Sequence, residues 1–313
     1  MQSWLIPVER SYEDVLQMLL QDKRSDNTKR AYEKDIADFF MLMTNRETNT
    51  GLVNEFLAMR RPQAVAVVLQ YKADLIKKGL KEATINRRLA ALRSLVSFAR
   101  RVGRCEWDLS DVEGEKVQTY RDVSGVDVTQ VSSMLASPDQ QKPKGKRDYA
   151  ILRLLWENAL RRGEIVKCNI ADFDPESRTL AVLGKGRGTQ KELIELSERA
   201  TLAISRWVEA RGDAKPLDPL FIALDNAHGG HRLTGEAIAY LVKQAAKAAG
   251  INKKMSPHRM RHSSITAALE ATNGNVSKVQ KLSRHAKIET LMIYEDRREN
   301  QQKEVTELLS ALA

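Results

Sequence analysis

A chain of 313 residues is longer than one ordinary hydrophobic core organises, and it points to two domains. Its 42% hydrophobic content supports globular cores, and the longest aliphatic run, residues 64–69, is far too short to span a bilayer. The net charge of +10 suits a polyanionic partner while leaving ribosomal, nucleic-acid and membrane-surface classes open.

The N-terminus, Met1 to Trp4, lacks a basic region followed by an apolar stretch, so a cytoplasmic protein is expected. Nucleoid association and a bacterial, phage or mobile-element origin would fit its charge and size. Cys105 and Cys168 fall in different domains without metal-type spacing and are read as reduced structural thiols.

From Tyr12 to Arg104 the pattern is helical. Val15, Met18 and Leu19 form one stripe, and Thr28 is placed as the cap of a helix carrying Tyr32, Ile36, Phe39 and Phe40. With Gly51, Pro62 and Gly79 as punctuation, the spacing predicts about four helices. The last opens at Thr84 and buries Ile85, Leu89, Leu92, Val96 and Ala99.

Charge is concentrated here. Between Lys72 and Arg104 ten basic residues stand against Asp74 and Glu82. The outer face of the last helix carries Asn86, Arg87, Ala90, Ser94, Ser97 and Arg101. Small residues flanked by arginines let a backbone approach a DNA groove while guanidiniums reach phosphates. The expected contacts are Lys81, Asn86, Arg87, Arg88, Ser94, Ser97 and Arg101; the plain alternative is a solvated helix face.

Residues 108–126, rich in Asp, Glu, Gly and Ser, read as a linker between domains at 1–107 and 127–313. In the second domain, helices are expected at Thr129–Leu135, Arg147–Leu160, Arg199–Arg211, Thr234–Ala249, Pro257–Thr272 and Val276–Arg284. Two strands, Thr179–Leu183 and Glu192–Leu196, are joined by a turn in which Gly184 and Gly186 flank Lys185. That turn lacks the Gly and Ser/Thr positions of an ATP-binding phosphate loop.

The densest chemistry lies near the C-terminus. His258 and Arg261 share one face of a helix's first turn after Pro257, where the helix end itself favours an anion. Alone, this pair is a weak signal that reads more readily as surface decoration. A zinc site on His258 and His262 is disfavoured by Arg259, which stands where the metalloprotease motif has Glu. Arg161 follows an apolar helix and needs an anion, either Glu164 or a substrate phosphate. Tyr294 is either a packing aromatic or a nucleophile, since attack on phosphorus requires a base and nearby cations to favour the phenolate.

Together these residues resemble the tyrosine recombinase family, the phage integrases, in its two-domain Xer-like form. The likeness lies in order: residues 159–165 resemble the family's first arginine box, residues 184–186 its lysine hairpin, residues 258–262 its HxLRH motif, and His285 and Tyr294 its last histidine and nucleophile. Residues 147–152 resemble its RDxAIL helix. The resemblance implies a mainly α fold: an all-helical core-binding domain clamping DNA, then a mainly helical (α+β) catalytic domain with a small antiparallel sheet.

It further implies a site-specific DNA recombinase working through a 3′-phosphotyrosyl intermediate and a Holliday junction, without metal or nucleotide cofactor. Tyr294 would attack, Arg161 and Arg261 would neutralise the phosphate, His285 would hydrogen-bond it, Lys185 would protonate the leaving oxygen and His258 would assist the tyrosine proton. Arg187, Arg259 and Arg284 are added as DNA contacts. The implied partners are double-stranded DNA with paired sites and three further copies in a homo-tetramer, linked by an amphipathic tail at residues 299–313. An accessory protein or second recombinase fits as well. A strand-nicking topoisomerase and a non-catalytic DNA-binding architectural protein are the rival readings.

Three departures from the family pattern stand out: Ala159 where glycine is usual, Met260 for leucine, and Arg284 for the glycine before the last histidine. The first two are read as packing changes. Arg284 is expected to add a DNA contact or to displace His285.

Overall fold

The computed structural model describes residues 14–117, 125–184, 188–285, 287–289, 291–292 and 301–312. Lys185, Arg187 and Tyr294 lie outside the described residues. The chain divides into two compact units, Met1–Tyr120 and Arg121–Ala313.

The first unit holds α1 (Val15–Asp22), α2 (Asp26–Thr44), α3 (Thr50–Leu57), α4 (Arg61–Lys77) and α5 (Glu82–Arg101), five described helices where the spacing had suggested about four. Ser25, not Thr28, caps α2, its hydroxyl accepting the Thr28 N–H. Likewise α5 begins at Glu82, so Thr84 sits inside its first turn. Both errors are shifts of a few residues at helix starts, where periodicity is blind and the cap alone decides.

The core has the expected stripe of α5, Ile85, Leu89, Leu92, Val96 and Ala99, all buried. Phe39 stacks edge-on against Phe40, Phe56 and Tyr71, with centroids 5.0, 5.1 and 5.1 Å away. Each such pair adds about 0.5–1.5 kcal/mol beyond its buried area.

Leu109 and Val112, inside the span read as linker, are buried in this core. Arg93 donates to the Val112 carbonyl and Lys72 to that of Glu113. Asn86 holds both backbone groups of Glu115, donating at 2.8 Å and accepting at 2.7 Å. Gly114 permits this, because a Cβ there would lie 2.6 Å from the Asn86 Oδ1.

The second unit begins with α6 (Val128–Ala136), α7 (Pro143–Glu157) and α8 (Arg162–Lys167). An antiparallel sheet follows, ordered β1 (Phe173–Asp174), β2 (Thr179–Val182) and β3 (Glu192–Glu195). The two longer strands match the sequence reading, and Leu180 pairs with Ile194 on the inward face. β1, two residues long, is beneath what alternation can reveal.

Helices α9 (Glu198–Arg211), α10 (Gly235–Ala248), α11 (Pro257–Ala271), α12 (Val276–Ser283) and α13 (Gln301–Leu312) follow. The Arg147-Asp148 pair in α7 is buried and structural: the guanidinium bonds Asp148 and the Ile222 carbonyl. Trp207 of α9, fully buried, donates to the Leu220 carbonyl at 2.8 Å. No described helix is long and apolar enough to cross a membrane.

Candidate active site

Three chain segments bring Arg161, His258, Arg261 and His285 together, the four sequence-identified catalytic side chains among the described residues. The first is the break between α7 and α8. The chain turns at Asn158 and passes through Ala159 at φ 46, left-handed backbone that favours glycine. Ala159 is fully buried against Ile265, Leu269, Val279 and Leu291, the packing position expected, and its left-handed backbone adds a conformational reason for glycine there. Met260, fully buried in the core of the second unit, is a packing position as expected.

Beyond this turn Arg161 occupies the N-cap of α8. Glu164, three residues on, folds back: its carboxylate accepts the Arg161 backbone N–H at 2.9 Å and the Arg161 guanidinium at 2.8 Å. The helix-end ion pair is thus present, yet the Arg161 side chain stays 34% exposed while that of Glu164 is 3% exposed.

The second segment is α11. Ser256 caps it by accepting the Arg259 N–H at 3.2 Å. His258 is exposed in the first turn, its ring 4.1 Å from that of His262 and inclined at 67°. Arg261, 2% exposed, donates to the carbonyls of Ala159 and Ser283 and approaches His285 Nε2 at 3.3 Å.

The third is the end of α12, where Arg284 adopts φ 54 as the left-handed C-cap and aims the next residue, His285, at Arg261. A guanidinium only donates, so Nε2 of His285 accepts, and its Nδ1–H donates to Ser283 Oγ at 2.9 Å. Burial, then the charges of Arg261, Arg161 and Arg284 and the neighbouring His258, push the imidazole down to about 4. It is neutral at physiological pH.

Arg284, the third departure, has its guanidinium engaged within the protein. Its side chain is 6% exposed and turns inward, donating to Glu164 at 3.1 Å and to the carbonyls of Leu282 and Asn158 at 2.8 and 3.2 Å. Burial raises the Glu164 carboxyl, but the charge of Arg284 and then the two donors of Arg161 outweigh it and hold Glu164 below the usual carboxylate range. Glu164 as a bridge between two arginines was half legible. Its spacing from Arg161 suggested one partner, while nothing local announced the other, 120 positions away.

Among the expected DNA contacts of the first unit, two are engaged within the fold. Asn86 is occupied by Glu115, as described above. Arg88 pairs with Asp38, bonds the Tyr71 hydroxyl and is 16% exposed, so its guanidinium supports the fold. Arg87 pairs with the buried Asp35 but remains 47% exposed. Lys81, Ser97 and Arg101 are exposed and Ser94 and Arg259 half-buried.

The chain matches two family models, "Phage integrase family" over residues 125–301 and "Phage integrase, N-terminal SAM-like domain" over residues 13–103. It is 50% identical to a protein of Synechocystis sp. named tyrosine recombinase, over 96% of each chain. A tyrosine recombinase of Synechococcus elongatus is 49% identical, with 96% of this chain and 93% of that one covered. Tyrosine recombinase XerD of Listeria innocua is 30% identical over 90% of this chain and 92% of its own length. In fold the chain is similar to the XerH site-specific recombinase bound to a palindromic difH substrate, with a TM-score of 0.63 at 16% identity and 97% of both chains covered.

Proposed function

Because the chain belongs to the phage integrase family of tyrosine recombinases, a site-specific DNA recombinase, we propose that its catalytic residues are Arg161, Lys185, His258, Arg261, His285 and Tyr294. One observation carries the reading. The guanidiniums of Arg161 and Arg261 and the neutral imidazole of His285 are held together beside Glu164. Forked donors so placed suit the non-bridging oxygens of a phosphodiester.

In the proposed reaction the Tyr294 oxygen attacks phosphorus, its proton passing toward His258. The bond to the 5′ oxygen breaks, and Lys185 protonates that oxygen as it leaves. Arg161, the more exposed fork, grips a non-bridging oxygen, and Arg261 adds its charge from beneath. The 3′-phosphotyrosyl bond conserves the phosphodiester, so a 5′ hydroxyl from a partner duplex can reverse the step on a new strand and pass through a Holliday junction.

The exposed stripe of α5, Arg87, Ser97 and Arg101 with Ser94 between, supports groove contact by the first unit, and Arg187 and Arg259 are proposed as backbone contacts of the second. Exposed Leu309 and Leu312 on α13 support docking of the tail on a neighbouring copy in a tetramer on paired sites. Work in the cytoplasm on the nucleoid, with or without an accessory protein, completes the proposal.

The test is to crosslink the protein to DNA in cells, sequence the DNA recovered, and place that sequence in a nicked suicide duplex. The wild-type chain traps a detergent-resistant adduct, and Tyr294→Phe binds equally but traps none. An adduct that survives in Tyr294→Phe removes Tyr294 as nucleophile.

A further inference from the structure

The proposed site leaves one charged group unused. Arg284 sits where L-residues are disfavoured, at φ 54, and its Nε is buried with no hydrogen-bond partner among the described residues. Glycine would satisfy the backbone without either penalty. A guanidinium kept there has a compensating task, and its contacts indicate which.

We propose that Arg284 is a positioning residue that acts through Glu164 to free the Arg161 guanidinium for the scissile phosphate. This rests on the active-site reading above and assigns to Arg284 a part that the reading does not contain.

The argument turns on how one carboxylate is shared. Oε2 of Glu164 is taken by the Arg161 backbone N–H and by Arg284 Nη2, which leaves Oε1 for a single nitrogen of the Arg161 fork. Without Arg284, both carboxylate oxygens become available for a two-pronged pairing with the same fork, the geometry arginine and carboxylate prefer. Arg161 would then be spent on Glu164 instead of on substrate. Arg284 thus outcompetes Arg161 for part of Glu164 while anchoring itself on the carbonyls of Asn158 and Leu282.

The same guanidinium is one of the groups that face His285, with Arg261, Arg161, His258 and the Ser283 hydroxyl. Removing it reduces the field on the imidazole, so the His285 midpoint rises.

The test uses the full chain and the suicide duplex recovered with wild-type protein. Arg284→Gly keeps the left-handed backbone while removing the side chain, and circular dichroism confirms that the variant assayed is folded. It is expected to slow adduct formation about tenfold or more, as loss of a group that orients a reacting one does elsewhere, with DNA affinity unchanged. Arg284→Lys restores part of the rate, and Glu164→Gln has a smaller effect in the Arg284→Gly background than alone. In DNA-free protein, the His285 ring titrates at higher pH in Arg284→Gly by nuclear magnetic resonance.

A wild-type rate in Arg284→Gly overturns the proposal, as does a loss of DNA affinity equal to the loss of rate. If wild-type protein forms no adduct, the active-site reading itself fails, and an unmoved His285 midpoint then also overturns the role given to Arg284.

Discussion

Ser263 Oγ accepts the backbone N–H of Val126 at 2.8 Å, joining α11, two residues past Arg261, to the segment that enters the second unit 137 positions earlier. Lys253 reinforces the join by donating to the Gly125 carbonyl at 3.0 Å. Gly125 is required there, since a Cβ would lie 2.7 Å from Ser263 Cα. Ser263→Ala leaves the buried Val126 N–H without its acceptor and is expected to cost about 1–3 kcal/mol. Gly125→Ala costs more, because backbone must move. Urea unfolding of the full chain measures both, and a Ser263→Ala midpoint equal to wild type would show that the join bears no weight.

His285 gives the fold a pH dependence of definite sign. Its folded value of about 4 lies below the ordinary 6.5, so the unfolded chain takes up the proton first. Stability present above pH 6.5 is therefore lost as pH falls from there toward 4. Glu164, held below its ordinary 4.5, loses its contribution only below that value, so most of the His285 window lies above it. Urea midpoints at pH 7.5 and 5 should differ more in wild type than in His285→Gln; equal differences would assign the acid sensitivity to another group.

The residues that announced the site did so by type and order, and these survive translation into structure because covalent sequence fixes them. Arg161, Arg261 and His285 are drawn together as the resemblance implied. What the sequence withheld was where each spare donor goes. Arg284 and Asn86 both looked like DNA contacts because they are polar and lie beside marked residues, yet each is claimed by a partner distant in the chain, Glu164 and Glu115. Periodicity carries the inward face of a helix but not the long-range acceptor that captures a polar side chain from its outer face. The left-handed turns at Ala159 and Arg284 were hidden for a related reason: a non-glycine residue gives no local sign that tertiary contacts will force it to φ near 50.

Burial also ranks the arginines of α5 for DNA binding. Arg101, 61% exposed and only loosely paired with Asp22 at 3.7 Å, is free to reach a phosphate, whereas Arg88 is committed to Asp38. Arg101→Glu is expected to weaken binding and to lower the slope of log affinity against log salt by about 0.9, one phosphate contact. Arg88→Ala instead lowers the stability of the first unit, by leaving the Asp38 carboxylate with the Tyr71 hydroxyl but without its cation, and leaves the slope intact in protein that remains folded. Salt titrations of both variants on one duplex separate the roles. A lowered slope in Arg88→Ala, with wild-type slope in Arg101→Glu, would reverse the ranking.

On α13, Leu309 and Leu312 are 61% and 84% exposed and, three apart, share one face of the helix. Burying two leucines is worth about 1.5–3 kcal/mol each, enough to couple neighbouring copies that DNA already holds at high local concentration, though not enough to dimerise free protein. Leu309→Asp with Leu312→Asp should therefore leave binding to a single site unchanged and abolish the pairing of two sites. Gel shifts with one-site and two-site duplexes distinguish these steps. If the double variant pairs sites as well as wild type does, the tail serves its own unit and the contact between copies lies elsewhere.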